Sequence, residues 1–179
     1  MNIVLIGYRC TGKSSVGKRL AEILGWRFLD TDELLEQKVG MSIAEFVLKR
    51  GWDEFRKKEK EVINEISDVD NSVIATGGGV VLNEENVKIL KKNGWIVWLK
   101  AEPDTIKQRM LKDKGNTRPS LKGKDSLDEI KEVLEERIPL YQRSSDFSLD
   151  TDSFSVEQLC NAIIKEFQRR IRNGIENAR

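Results

Sequence analysis

Gly7 to Ser14 reads G-Y-R-C-T-G-K-S, with Gly7 and Gly12 followed at once by a lysine and a hydroxyl. The pattern G-x-x-x-x-G-K-[ST] is a phosphate-binding loop when a strand leads into it and a helix leads out. Here an apolar run, Ile3 to Ile6, precedes it, and a helical pattern of Val16, Leu20, Ile23 and Leu24 follows. The glycines let the backbone turn tightly and aim its N–H groups at an anion. The helix opening near Lys13 adds the positive end of its dipole. In that geometry Lys13 reaches the outer phosphates of a nucleotide as a point charge, and the Ser14 hydroxyl is a Mg²⁺ ligand. The plainer alternative is a purely structural glycine turn.

Other residues suit the same chemistry. Asp30-Thr31-Asp32 follows a predicted strand, where ligands of parallel sheets bind. Asp30 is placed to help hold Mg²⁺ through water, and Asp32 to accept a hydrogen bond or a proton from a substrate hydroxyl. Either residue also suits a helix N-cap. Asp150 is the other carboxylate that directly follows a predicted strand, a weaker rival. Gly77-Gly78-Gly79 forgoes side-chain packing, which fits backbone N–H groups approaching a small polar ligand, or a flexible turn. Arg56 lies beside Phe55 and has Asp53 and Glu59 as helical neighbours, so it is either a ligand-binding cation or a surface charge. Arg137 shares the apolar arc of Leu127, Ile130, Val133 and Leu134 at about 100° per residue. A guanidinium there needs an anionic ligand or a buried ion-pair partner. Pro139 is expected to end that helix, which puts Arg137 in its last turn.

The elements that must position these residues alternate along the chain. Strands are expected at 2–6, 27–29, 72–75, 95–99 and 147–149. Helices are expected at 13–24, 32–38, 43–49, 54–67, 84–92, 104–112, 127–137 and 156–170. Capping boxes mark Ser42 with Glu45, Ser126 with Glu129 and Ser155 with Gln158. Pro103 suits a first helical position. Such alternation predicts an α/β fold, a parallel sheet with helices on both faces. The polar stretch from Lys112 to Asp125, which carries Arg118, reads as a long loop: a lid that closes over a nucleotide, or a surface insert. One domain is expected over residues 1–170, with a frayed tail over 171–179.

Composition excludes several classes. The 179 residues carry 31 Lys and Arg against 30 Asp and Glu, a net charge of +1, so neither nucleic acid nor a membrane surface is an expected partner. The absence of histidine excludes Ser-His and His-metal mechanisms. Cys10 and Cys160 make no disulfide framework or metal spacing, and no signal peptide or apolar span is present. A cytoplasmic setting and a monomer are the expectations. Cys10 is expected either to meet reagents in the phosphate loop or to pack beneath it, and Cys160 to pack in the core.

These residues together resemble the shikimate kinase family, from the phosphate loop to about Gln168. The match comprises G-Y-R-C-T-G-K-S-S-V-G, D-T-D at Asp30 and Asp32, F-R-K-K-E with Arg56 and Glu59, G-G-G at Gly77–Gly79, Arg118-Pro119, and R-x-P-L-Y from Arg137 to Tyr141. The phosphate loop is generic to nucleotide-binding proteins; the ordered set of the other motifs is specific. The resemblance implies a P-loop kinase of the nucleoside-monophosphate kinase type, with a five-stranded parallel sheet. It implies Mg-ATP-dependent phosphorylation of the shikimate 3-hydroxyl in aromatic amino-acid biosynthesis. It assigns Arg9, Cys10, Thr11, Gly12, Lys13 and Ser14 to the ATP phosphates, and Ser14 with Asp30 to Mg²⁺. Asp32, Arg56, Gly78 and Arg137 go to shikimate, Arg118 to the lid and Arg109 to a stacking position near the adenine. The catalytic set is Lys13, Asp32 and Arg118, and the substrate-binding helices span about 32–62. Two positions depart from the family pattern: Cys10, where the family often has Gly, and Ser120, where R-P-L is common. The alternatives are a related small-molecule kinase such as gluconate kinase, and a nucleotide-binding module without kinase activity. The GTPase motif N-K-x-D is absent.

Overall fold

Five buried positions in a row leave β1 (Asn2–Ile6) with no solvent face. A strand covered on both sides belongs inside a parallel sheet. The computed structural model describes residues 1–112 and 127–176 and puts β1 at the sheet centre. After it come α1 (Lys13–Leu24), β2 (Arg27–Asp30), α2 (Thr31–Val39), α3 (Ile43–Glu65) and β3 (Ser72–Ala75). A 3₁₀ turn (Val80–Leu82) precedes α4 (Glu84–Asn93), β4 (Gly94–Lys100), α5 (Pro103–Lys112), α6 (Leu127–Ser144), β5 (Phe147–Asp150) and α7 (Val156–Glu176). The sheet order is β2-β3-β1-β4-β5, and every neighbouring pair is parallel.

Side-chain alternation along β1 builds two cores. Ile3 and Leu5 pack with Val16 and Leu20 of α1 and with Leu159, Ile163 and Phe167 of α7. Val4 and Ile6 pack on the opposite face with Ile63 of α3, Leu90 of α4 and Tyr141 of α6. A third cluster, with Leu35, Ile43, Phe46, Phe55 and Val62, joins α2 to α3. A fourth ties Tyr8 of the phosphate loop to Ile106 of α5 and to Ile130, Val133 and Leu134 of α6. The chain leaves β1 toward one sheet edge and β3 toward the other. The crevice between their carboxyl ends is therefore the topological switch point, where ligands of such sheets bind.

Three expectations are corrected. Pro139 does not end α6, which runs on to Ser144. A helix-interior proline costs about 3 kcal/mol. Beyond it Tyr141 is fully buried and Leu140 half-buried, a gain of comparable size, ~3 kcal/mol. The helices expected at 43–49 and 54–67 form one element, α3, broken only at Gly51 (φ 83°, ψ 170°). α7 continues past Arg170 to Glu176, although residues 171–174 are exposed. Apolar periodicity reports burial, whereas helix propagation needs only the next backbone bond. The capping box of Ser42 and Glu45 is formed, and Ser155 and Gln158 exchange bonds of 2.9 and 3.3 Å. Ser126 lies outside the described residues. Among the described residues no helix is long and apolar enough to cross a membrane.

Candidate active site

The loop from Gly7 to Gly12 turns at its two glycines and leads straight into α1. Gly7 has φ 142°, and a Cβ on it would lie 2.3 Å from the Leu99 carbonyl oxygen, so glycine is required there. Gly12 (φ 95°) caps α1 with no side-chain bond, and the first turn of α1 holds no acidic residue. The leading N–H groups of that helix are thus left without a capping carboxylate, as an incoming phosphate requires. Lys13 is 8% exposed. Its Nζ donates to the carbonyls of Gly7 at 2.8 Å and Tyr8 at 2.7 Å. Thr11 Oγ1 donates to Tyr8 O at 2.8 Å and braces the loop. The Ser14 hydroxyl donates to Asp30 Oδ2 at 2.7 Å. Arg9, Lys13, Ser14, Asp30 and Asp32 line a cleft of about 1020 Å³ here.

Two further residues shape this loop. Cys10 has φ 61°, a left-handed conformation that disfavours any side chain with a Cβ. It is half-buried and packs against the cluster of Tyr8 and Ile106. Arg109 donates to Cys10 O at 3.3 Å, to Thr151 Oγ1 at 2.9 Å and to Thr151 O at 2.7 Å. It therefore ties the phosphate loop to the segment after β5.

A second cleft, of about 450 Å³, lies beside the first and is lined by Asp32, Arg56, Glu59, Arg137 and Gly77–Gly79 among others. Asp30, not Asp32, caps α2, accepting from Asp32 N at 3.0 Å. That leaves the Asp32 carboxylate clear of the cap, and Asp32 lines both clefts. Arg56 Nη1 donates to both Glu59 oxygens at 2.9 Å. Burial pushes the Glu59 carboxyl above its usual range, against the opposing pull of Arg56. Arg137, 7% exposed, donates from Nη1 to Gly78 O at 3.1 Å. Tyr141, one turn on, donates its hydroxyl to the same carbonyl, and burial pushes that phenol up to about 12.

The triple glycine has a steric explanation at each position. A Cβ on Gly77 would sit 2.9 Å from both Asp32 Oδ1 and Glu59 Oε1. One on Gly78 would sit 3.2 Å from Arg9 N, and one on Gly79 only 2.2 Å from Arg56 Nη2. The backbone after β3 runs directly against the charged groups of the second cleft. Of the residues picked from sequence, Arg9, Cys10, Gly12, Lys13, Ser14, Asp30 and Asp32 meet at the first cleft, and Asp32, Arg56, Gly78 and Arg137 at the second. Thr11 braces the loop, Arg109 stands at its rim, and Arg118 lies outside the described residues. The rival Asp150 pairs instead with Lys100 at 3.3 Å. Sequence reasoning passed over Glu59, 2% exposed, as a mere helical neighbour. The test that singles out Arg137 also finds Glu59, which shares its α3 face with buried Phe55, Val62 and Ile63.

Known proteins resemble this chain in sequence and in fold. The shikimate kinase family model matches residues 9–168. A shikimate kinase of Thermodesulfovibrio yellowstonii is 47% identical over 97% of this chain and 98% of its own length. One of Caldanaerobacter subterraneus subsp. tengcongensis is 45% identical, over 93% and 95%. The structure of the Acinetobacter baumannii shikimate kinase, in complex with shikimate, superposes with a TM-score of 0.88 at 33% identity, covering 94% of this chain and 93% of that one. With the phosphate loop, the paired aspartates and the two buried-edge arginines all in one crevice, and near full-length likeness to these proteins, the chain belongs to the shikimate kinase family.

Proposed function

We propose that this chain transfers the γ-phosphoryl group of ATP to the 3-hydroxyl of shikimate. The family supports kinase activity on shikimate with ATP as co-substrate. The observation that carries the residue roles is the position of Asp32, shared by the phosphate cleft and its neighbour. A group at that junction faces both the donor and the acceptor. The two arginines of the second cleft suit a carboxylate, which each can grip by charge-assisted bonds.

The roles follow from phosphoryl-transfer physics, where catalysis is positioning plus charge stabilisation. Lys13 leaves the Gly7 and Tyr8 carbonyls and takes the outer phosphates. Backbone N–H groups from Arg9 to Ser14 cradle the remainder. The Ser14 hydroxyl would ligate Mg²⁺, and the Asp30 carboxylate, 2.7 Å from it, would help hold the ion through water. When bound there, Mg²⁺ neutralises charge on the outer phosphate oxygens. Arg56 and Arg137 hold the shikimate carboxylate. Asp32 orients the 3-hydroxyl and accepts its proton. Arg118 adds a positive charge at the transferring group, and Arg109 sits beside the adenine. Residues 1–170 work as one domain, a monomer in the cytoplasm that engages neither nucleic acid nor membrane.

A coupled ADP-release assay with shikimate, with gluconate and with no acceptor tests this reading. ADP release that depends on shikimate is expected. Equal release with gluconate, or with no acceptor, overturns it.

A further inference from the structure

We infer that Gly51 is a positioning residue for the acceptor: its backbone re-phases α3, so that Arg56 and Glu59 turn into the second cleft while the first half of α3 stays packed on α2. The inference rests on the acceptor reading above and deepens it. Gly51 interrupts α3 with φ 83° and ψ 170°. That pairing of angles is essentially confined to glycine, and an outlier of this kind persists only where its surroundings over-determine it. The reason for glycine is conformational rather than steric, since a Cβ here would meet no atom within 4 Å. Gly51 is itself exposed and lines neither cleft, so it acts only through the residues it orients.

The burial pattern shows what the break achieves. Before it, Ile43, Phe46 and Val47 are buried; after it, Phe55, Glu59, Val62 and Ile63 are. At about 100° per residue, an unbroken helix would set the centres of these two arcs roughly 150° apart. Ile43, Phe46, Val47, Phe55 and Val62 nevertheless join one cluster with Leu35 of α2. The turn at Gly51 supplies the missing rotation. Each half is pinned on its own: Ile43 N donates to Glu36 Oε1 of α2 at 2.8 Å, and Ile63 packs with Val4 and Ile6 of β1. Arg56 then stands at the rim of the second arc, with 24% of its side chain exposed, and lines the cleft together with Asp32 of α2. Ile43, from before the break, lines the same cleft. A side chain at position 51 strains this junction, and relief by rotation moves Arg56 relative to Asp32.

The test replaces Gly51 by Ala, with Gly25→Ala as the matched control. Gly25 also has a positive φ, 66°, and open space for a Cβ, but it closes the end of α1 away from the phosphate loop. Calorimetry gives the Kd for shikimate and for ATP, steady-state kinetics gives KM and kcat, and melting scans give the stability of each variant. Gly51→Ala is expected to weaken shikimate roughly fivefold to thirtyfold, with KM rising in step. Its kcat and ATP Kd stay within about twofold of wild type. Gly25→Ala is expected to melt lower and to leave both dissociation constants unchanged. Gly51→Asn, which tolerates positive φ better than alanine does, is expected to show a smaller loss and replaces the alanine variant if that one does not fold. Added to Arg56→Ala, the Gly51 change should weaken shikimate by no more than about twofold further, because both act through one guanidinium. Wild-type shikimate affinity in the folded Ala or Asn variant, a matching loss of ATP affinity, or a fully additive loss with Arg56→Ala overturns the inference. Wild type that fails to bind shikimate overturns the acceptor reading itself, a separate result.

Discussion

Both carboxylate oxygens of Glu59 accept from Nη1 of Arg56 at 2.9 Å, and the carboxylate side chain is 3% exposed against 24% for the arginine. A nearly buried anion therefore anchors a cation that lines the second cleft. Glu59→Gln should keep the fold and weaken shikimate binding about tenfold, ~1.4 kcal/mol, with ATP binding unchanged. The pH dependence has a definite sign. Burial raises the Glu59 carboxyl above its ordinary value, so acidification protonates it early and leaves Arg56 without its anchor. Shikimate kcat/KM should rise with pH through this raised value, and Glu59→Gln should remove that inflection. Stability runs the other way. Folding favours the protonated form, so this contribution is full below the unfolded-state value and is lost as pH rises through the folded-state one. A flat kcat/KM profile for wild type across the acid limb contradicts the assignment.

Lys13→Ala should fold normally and lose about 10²–10³-fold in kcat. The Lys13 ammonium donates to the Gly7 and Tyr8 carbonyls at 2.8 and 2.7 Å, where water can replace it. Its charge matters when phosphate arrives. Circular dichroism checks the fold and the ADP-release assay the rate; near wild-type turnover would sink the phosphate-loop assignment.

Arg137 and Gly79 should separate acceptor from nucleotide. Arg137→Ala should weaken shikimate by about 30- to 150-fold, ~2–3 kcal/mol, and leave ATP affinity nearly intact. Gly79→Ala puts a methyl 2.2 Å from Arg56 Nη2. The far end of a long side chain moves more readily than backbone, so the loss should appear in binding rather than in stability. Roughly tenfold weaker shikimate binding is expected, ~1.4 kcal/mol. Titration calorimetry of each variant with both ligands decides it. Equal losses for ATP would show that these residues support the fold instead.

Alkylating reagents should label Cys10 before Cys160 and inactivate the enzyme. Cys10 is half-buried at the phosphate loop, whereas Cys160 is fully buried against α1 and burial pushes its thiol up to about 11. An adduct at Cys10 occupies the phosphate cleft that the residue lines. Mg-ATP should protect Cys10, and shikimate alone should protect it poorly. Mass-mapped labelling in which Cys160 reacts first, or in which ATP fails to protect Cys10, refutes this.

Some of this protein was determined by local sequence alone. Strand-loop-helix with G-x-x-x-x-G-K-S dictates a phosphate loop because glycine freedom, the helix dipole and the lysine all act within eight residues of chain. The alternation of elements dictated a parallel sheet, and the apolar arc of α6 dictated that Arg137 be buried. Tertiary structure decided the rest, because those outcomes depend on what lies across the crevice. Pro139 stays inside α6 because Tyr141 beyond it stacks on Trp98 of β4, a contact far away in sequence. Gly77 and Gly79 are needed after β3 because Asp32, Glu59 and Arg56 approach from two other elements. Asp30 rather than Asp32 became the helix cap, which released Asp32 to the junction of the clefts. Local sequence sets the conformations a segment can adopt. Which of them holds a charge in place is set by the neighbours that only the folded chain brings within reach.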